Sequence, residues 1–252
     1  MRFFLVVIPL VALASCTAVS PPPEFAMSVP PAFSAATERR TFPQGAPLTD
    51  DAMARQMFPD YRAEHPTTRL YGRWTDPSFT TYRRSGTYYG AAKTRGWSVE
   101  VEQGASPKVL RALQAKDGYE ADLGFALNAS PRIYPRFRHK RFSRGEAVSF
   151  LVQYQNDNTN YVPNNGMLLY EVHGITTDQR FTIRAQFGLT HPRLTEFGPA
   201  VRDYRDDTSK PDSPMRRDRD YRLVEHSSDS AFQPSIKDVD AMLETLRPDD
   251  SQ

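Results

Sequence analysis

Apolar and polar residues alternate most regularly between positions 147 and 189. Val148, Phe150, Val152 and Tyr154 alternate with Ser149, Leu151 and Gln153, and Phe181, Ile183, Ala185 and Phe187 alternate with Arg180, Thr182, Arg184 and Gln186. A period of two predicts strands with one buried face, and 167–174 supplies a third strand between these two. The link Ile175-Thr176-Thr177-Asp178-Gln179 is short and polar, so the last two strands form a hairpin. Upstream, 96–102 alternates with Trp97, Val99 and Val101 on one face. Ser106-Pro107 then opens a helix that reaches Lys116, since serine caps and proline suits the first helical position. Leu123, Phe125 and Leu127 predict a further strand, and 221–225 a short one. Ser235-x-x-Asp238 has the form of a capping box. After it Ile236, Val239, Met242, Leu243 and Leu246 form one apolar stripe, a helix that Leu246-Arg247-Pro248 ends.

Strand, helix, several antiparallel strands and a closing helix predict an α+β fold, an antiparallel sheet with helices packed on one or both faces. The alternative is an α/β/α sandwich. Strands followed by a closing amphipathic helix resemble the PsbP/Mog1 type, with no motif that carries a function across.

Around this unit the composition changes. Nine of the 21 prolines lie between Pro21 and Pro66, including Pro21-Pro22-Pro23 and Pro30-Pro31. Such a stretch excludes a regular helix or central strand and favours extended chain. It predicts a tether over 16–66, reaching on the order of 90 Å if thirty residues are extended. Thr49 caps one short helix over 50–57 within it. The folded domain is expected at 67–248. Within it, 202–220 holds six basic and six acidic side chains and almost nothing apolar, a solvated, mobile loop.

The first residues read MRFFLVVIPLVALASC. Arg2 gives a positive start, and Phe3 to Leu13 form an apolar run of signal-peptide size, too short to span a bilayer. Leu13-Ala14-Ser15-Cys16 resembles the lipobox of bacterial lipoproteins. The resemblance implies removal of 1–15, diacylglycerol on the Cys16 thiol and acylation of the new amino terminus. With threonine rather than aspartate at position 17, it also implies the outer membrane, facing the periplasm. Cys16 is the only cysteine in the chain, so an internal disulfide is excluded. The alternative is ordinary cleavage after Ala14, which Ala12-Leu13-Ala14 also fits.

Chemistry is sparse. Neither G-x-S-x-G, nor a P-loop, nor G-x-G-x-x-G occurs, and no two of His65, His139, His173, His191 and His226 form an H-x-x-x-H pair. No cofactor, metal or catalytic residue is assigned. Glu171 and His173 share a strand face and are candidate metal ligands. A hairpin centred on Thr177 and Asp178 offers a simpler account. It pairs Val172 with Ile183, Tyr170 with Ala185, Glu171 with Arg184 and His173 with Thr182. Glu171 is then half of a surface ion pair worth about 0.2–1 kcal/mol. His226-Ser227-Ser228-Asp229-Ser230 holds the residue types of a hydrolase triad. Neighbours on one strand or turn do not face one another, and Asp229 reads as a turn residue.

The formal net charge of +2, from 32 basic and 30 acidic side chains, excludes a globally basic nucleic-acid binder. Locally, 132–144 reads RIYPRFRHKRFSR, six cations without an acid. On a strand, Arg132, Arg136, Arg138 and Lys140 share a face with Tyr134 and Phe142, which suits phosphate contact with ring packing. The alternative is an edge strand whose charges and Pro135 prevent aggregation. Together these features predict a tethered, non-enzymatic binding or assembly module of the cell envelope. Its partners are the membrane, through the lipid, and an anionic glycolipid, glycan or envelope protein, with no nucleic acid. The alternative is an envelope hydrolase assembled from Glu171, His173, His191, His226 and Asp229.

Replacing Cys16 with serine is expected to release the protein from the membrane fraction, because stable anchoring comes from several acyl chains on this residue. Fractionation with labelled fatty acid checks it. A Cys16→Ser protein that still pellets, beside a native protein that takes up no label, refutes the lipobox reading.

Overall fold

The computed structural model describes residues 24–31, 33, 37–48, 62–74, 96–121, 123, 130–131, 135–155, 160–195, 200–201 and 218–248. In chain order these form β1 (Phe25–Ala26), β2 (Thr37–Phe42), β3 (Thr67–Arg73), β4 (Gly96–Gln103), helices α1 (Pro107–Ala112) and α2 (Gly118–Ala121), and β5 (Ser130–Pro131). Strands β6 (Arg138–Phe142), β7 (Gly145–Val152), β8 (Tyr154–Gln155), β9 (Asn160–Tyr161), β10 (Leu169–Thr176), β11 (Phe181–Gly188) and β12 (Ala200–Val201) follow. Helix α3 (Arg219–His226), a 3-10 turn (Asp229–Ala231), α4 (Ile236–Glu244) and β13 (Arg247–Pro248) close the chain.

Seven strands make one antiparallel sheet in the order β2-β3-β4-β11-β10-β7-β6. Helices cover both faces, as the α+β expectation allowed. On one face Val99, Val101, Leu151, Val172 and Phe187 meet Val224 of α3 and Ile236, Val239 and Met242 of α4. On the other, Val148, Phe150, Val152 and Leu169 meet Val109 and Ala112 of α1 and Leu123 beyond α2. Strands β7 and β10 therefore bury side chains on both faces, where alternation predicted one. The near-continuous apolar run Ala147-Val148-Ser149-Phe150-Leu151-Val152 is the sequence form of a strand covered twice.

The hairpin expectation holds for β10 and β11, but its register is corrected. Val172 pairs with Ala185, Tyr170 with Phe187, Glu171 with Gln186 and His173 with Arg184. Each partner lies two positions beyond the expected one, so every side chain keeps its face. Turn chemistry decides the shift. Asp178 Oδ1 accepts from the Arg180 N–H at 3.1 Å and from the Thr176 hydroxyl at 2.6 Å. Gln179 takes φ 56°, the left-handed position that centres the turn between Asp178 and Gln179.

Three other expectations change. The short strand at 221–225 is part of helix α3. Asp218 caps it, accepting from the N–H groups of Asp220 and Tyr221, so 218–220 belongs to a helix and not to the charged loop. Helix α1 stops at Ala112, short of Lys116. The folded unit also begins before 67. β1 pairs with β13, β2 is an edge of the main sheet, and Phe25, Met27, Val29 and Phe33 pack on the first core. Ser28 N–H donates to Thr245 Oγ1 at 2.9 Å. Prolines flank these pieces without interrupting either strand. The closing helix is as expected: Ser235 Oγ accepts from Asp238 N–H and donates to its carboxylate at 2.6 Å. The predicted helix at 50–57, the strand residues Phe125 and Leu127, and 202–217 lie outside the described residues.

Candidate functional site

Strand β6 is the edge of the sheet beside β7, and its even-numbered side chains turn toward α4. Arg136, immediately before it, takes φ 62°, a strained conformation for a residue with a Cβ. This geometry sends its guanidinium under the 3-10 turn, with the side chain only 4% exposed. There it donates to the Ser227 carbonyl and the Asp229 carboxylate and lies over the Phe232 ring at 5.5 Å. Its backbone N–H donates to Glu225 Oε2 at 2.9 Å. Burial, with Arg138 nearby, lowers its pKa from the usual arginine value, and Asp229 opposes that shift.

Arg138 sits further out and donates to the same carboxylate, at 3.1 and 3.3 Å to its two oxygens. Lys140 pairs with Asp240 of α4 and lies 5.3 Å from the centre of the Tyr170 ring. The Tyr170 hydroxyl donates to Asp240 at 2.8 Å. Burial and then the Asp240 charge hold that phenol well above its ordinary pKa. Phe142 continues the row into the first core.

Between β6, the 3-10 turn and the first turn of α4 lies a groove of about 520 Å³. Its lining includes Arg136, Arg138, Lys237, Asp229 and Asp240, with Ser227, Ser228 and Ser230. Three cations thus face two carboxylates, and Lys140 already answers Asp240 from behind. Lys237 is exposed and has no ion-pair partner among the described residues. Of the four basic residues singled out in the sequence, Arg136 and Arg138 line the groove, Lys140 stands behind it, and Arg132 lies outside the described residues, as does Cys16. Lys237 was not legible as a site residue, because it reaches the groove only through the docking of α4 beside β6, and Ser228 and Ser230, at the 3-10 turn, stood in the sequence only as triad residue types.

The hydrolase candidates do not converge. Glu171 is fully buried on the opposite face of the sheet, accepting from the Tyr154 hydroxyl at 2.7 Å and from Gln186 Nε2 at 2.5 Å. His173 Nε2 lies 2.9 Å from its other oxygen, and Phe150 stacks on the imidazole at 5.6 Å. The expected surface pair of Glu171 with Arg184 is therefore corrected. Arg184 faces Glu100 and Glu102 at 3.5 and 3.3 Å, and burial raises the pKa of Glu102. Among the described residues no three His, Cys, Asp or Glu side chains form a group able to hold a metal ion.

His191 Nδ1 accepts from the Arg193 N–H at 3.2 Å, so its proton is on Nε2, 3.0 Å from Ser227 Oγ. Ser227 Oγ in turn donates to the Leu223 carbonyl at 2.6 Å. The proton on Nε2 points at the serine, the reverse of what a general base needs. His226 is exposed at the end of α3, and Asp229, expected as a turn residue, lies in the 3-10 turn and holds the two arginines. No family model, curated protein or solved structure matches the chain.

Asp229→Asn is expected to cost about 2–3 kcal/mol in urea unfolding, since it strips a buried guanidinium of its counter-charge. The figure falls below the 3–5 kcal/mol of a fully enclosed pair because Asp229 is 33% exposed. Arg138→Ala should change stability by less than about 1 kcal/mol. Equal losses in the two variants would show that Arg136 does not depend on this carboxylate.

Burial, then Arg193, lowers the pKa of His191. The unfolded chain therefore binds this proton more readily than the folded one. The stability that neutral His191 contributes is complete above the unfolded pKa near 6.5 and is lost as pH falls below it. The urea midpoint of the native protein should approach that of His191→Gln between about pH 7.5 and 5.5. A gap that widens toward acid reverses the sign and refutes the assignment.

Proposed function

We propose that the chain is a lipid-anchored module of the cell envelope that binds, rather than transforms, an anionic group in the groove between β6 and α4. The observation that carries this reading is the pairing of half-exposed Arg138 with exposed Lys237 across a groove edged by the Ser228 and Ser230 hydroxyls. Beneath them Arg136 is already committed to Asp229 and to backbone carbonyls, so it sets the floor and leaves capture to the two outer cations. Guanidinium, ammonium and hydroxyl donors suit a phosphate or carboxylate on a glycolipid or glycan, and the two carboxylates of the lining, Asp229 and Asp240, are held by Arg136, Arg138 and Lys140. The lipobox sequence at Cys16 supplies the tether and the periplasmic side of the outer membrane as the place. No described helix is long and apolar enough to cross a membrane.

The test is binding of the domain to micelles of a phosphate-bearing glycolipid and of its dephosphorylated counterpart, at low and physiological salt. Binding should need the phosphate and weaken as salt rises. Replacing Arg138 and Lys237 together with glutamate should reduce affinity at least tenfold, about 1.4 kcal/mol, with the fold intact. Equal affinity for both micelles, or no loss in the double variant, would leave β6 as a charge-protected edge strand.

A further inference from the structure

The two edges of the main sheet differ. β6 is stitched to the helical layer, whereas β2 pairs only with β3 among the described residues, and Thr37 to Thr41 are all exposed. An exposed edge offers a row of backbone donors and acceptors to another strand, and its side chains decide which strand can use it. Glu38 and Arg40 share the face of the sheet that carries Glu171, and Arg40 Nε donates to Glu38 Oε1 at 2.5 Å along the strand. Directly opposite on β3, Arg40 meets Arg69, itself held by Glu100, so a second cation crowds the Arg40 guanidinium. Thr37, Arg39 and Thr41 belong to the other face, where Arg39 lies 3.7 Å from Glu24.

Two copies joined antiparallel through β2 are related by a two-fold axis normal to the sheet. Such an axis keeps every residue on its own face, so the pairing must be centred on a single residue. Centred on Glu38 it sets Glu38 against Glu38, and centred on Arg40 it sets Arg40 against Arg40. Centred on Arg39 it sets Glu38 against Arg40 twice and Thr37 against Thr41 twice. Opposite charges and threonine pairs directly across a ladder are favourable, and like charges are not. The remaining contact, Arg39 with Arg39, is offset by Glu24 on each side. We infer that the protein pairs with a second copy of itself through β2, in the register centred on Arg39, so that two seven-stranded sheets become one. The charges that repel unrelated strands thus select the protein's own edge. This contact goes beyond the ligand reading and does not depend on the lipid. β6 remains the outer edge of each half, which leaves both grooves open.

A single strand pair buries little area, so the dimer is weak and its measured mass should rise with concentration. The experiment follows sedimentation of the full chain in a neutral, density-matched detergent, from low micromolar to submillimolar protein. The native chain should pass from monomer toward dimer across this range. Glu38→Arg alone sets two cations opposite each other, and Arg40→Glu alone sets two carboxylates opposite each other. Each should weaken self-association by about tenfold. An equimolar mixture of the two variants should restore the native dimer, because every cross-strand pair is then again of opposite charge. Both side chains are exposed, so the urea midpoints of the variants should stay close to the native value. A native chain that is monomeric throughout overturns the inference. A dimer indifferent to both reversals places the contact elsewhere and overturns it too. A mixture that associates no more strongly than its components refutes the register centred on Arg39.

Discussion

Because β7 and β10 bury side chains on both faces, neither layer of this molecule is optional. Phe150 and Leu151 are neighbours in sequence and both fully inaccessible, one beneath α1 and the other beneath α4. Burying a large apolar side chain is worth about 1.5–3 kcal/mol, so stripping either helical layer would forfeit several such terms at once. The same constraint accounts for the polar cluster inside the second layer. Glu171 pairs in register with Phe150 and sits under cover because its strand does. A carboxylate there is tolerated only with donors around it, which Tyr154, Gln186 and His173 provide.

The edge of the sheet is managed differently. β6 would present a bare hydrogen-bonding edge, and its cations were open to two readings in the sequence. In the structure they do more than repel other chains. Arg136 and Lys140 bind the edge strand to the helical layer through Asp229 and Asp240, and His139 on the opposite side bonds the Ala115 carbonyl at 2.9 Å. The groove is a by-product of this cross-layer stitching, a gap lined by Arg138, which shares the Asp229 carboxylate with Arg136, and by exposed Lys237. A charged segment of this kind is part lock and part lure, and the burial of each side chain shows which.

Much of the fold was legible because periodicity reports on faces. The strands around Val99, Phe150, Val172 and Phe187 and the stripe from Ile236 to Leu243 were all readable in that way. What periodicity does not report is register: a shift of two residues leaves every face unchanged, so only the Asp178 turn distinguishes the true pairing from its neighbour. The α3 helix was hidden for another reason. Its apolar positions, Tyr221 and Val224, number too few to separate a period of three and a half from one of two, and Asp218 was lost among the charges before it. The docking of residues 25–29 was hidden by the prolines on either side, although Phe25, Met27 and Val29 alternate between them. The groove was legible only in half. Its β6 side was visible as a run of cations, whereas Lys237, Ser228 and Ser230 come from about ninety residues further along, brought near by contacts that no local pattern encodes.

The segment 25–29 packs on the first core ahead of β2. Its seat is built from the other terminus: β13, Thr245 and the last turn of α4 hold residues 25–28, and the hydrogen bond from Ser28 to Thr245 closes a separation of 217 positions. Closing so long a loop is entropically costly and slow compared with forming a hairpin. A nascent chain that emerges amino end first carries Phe25, Met27 and Val29 without β13 and Thr245 to hold them until almost its last residue has appeared. The polypeptide thus completes its fold only when its final residues have been made and the two ends can meet.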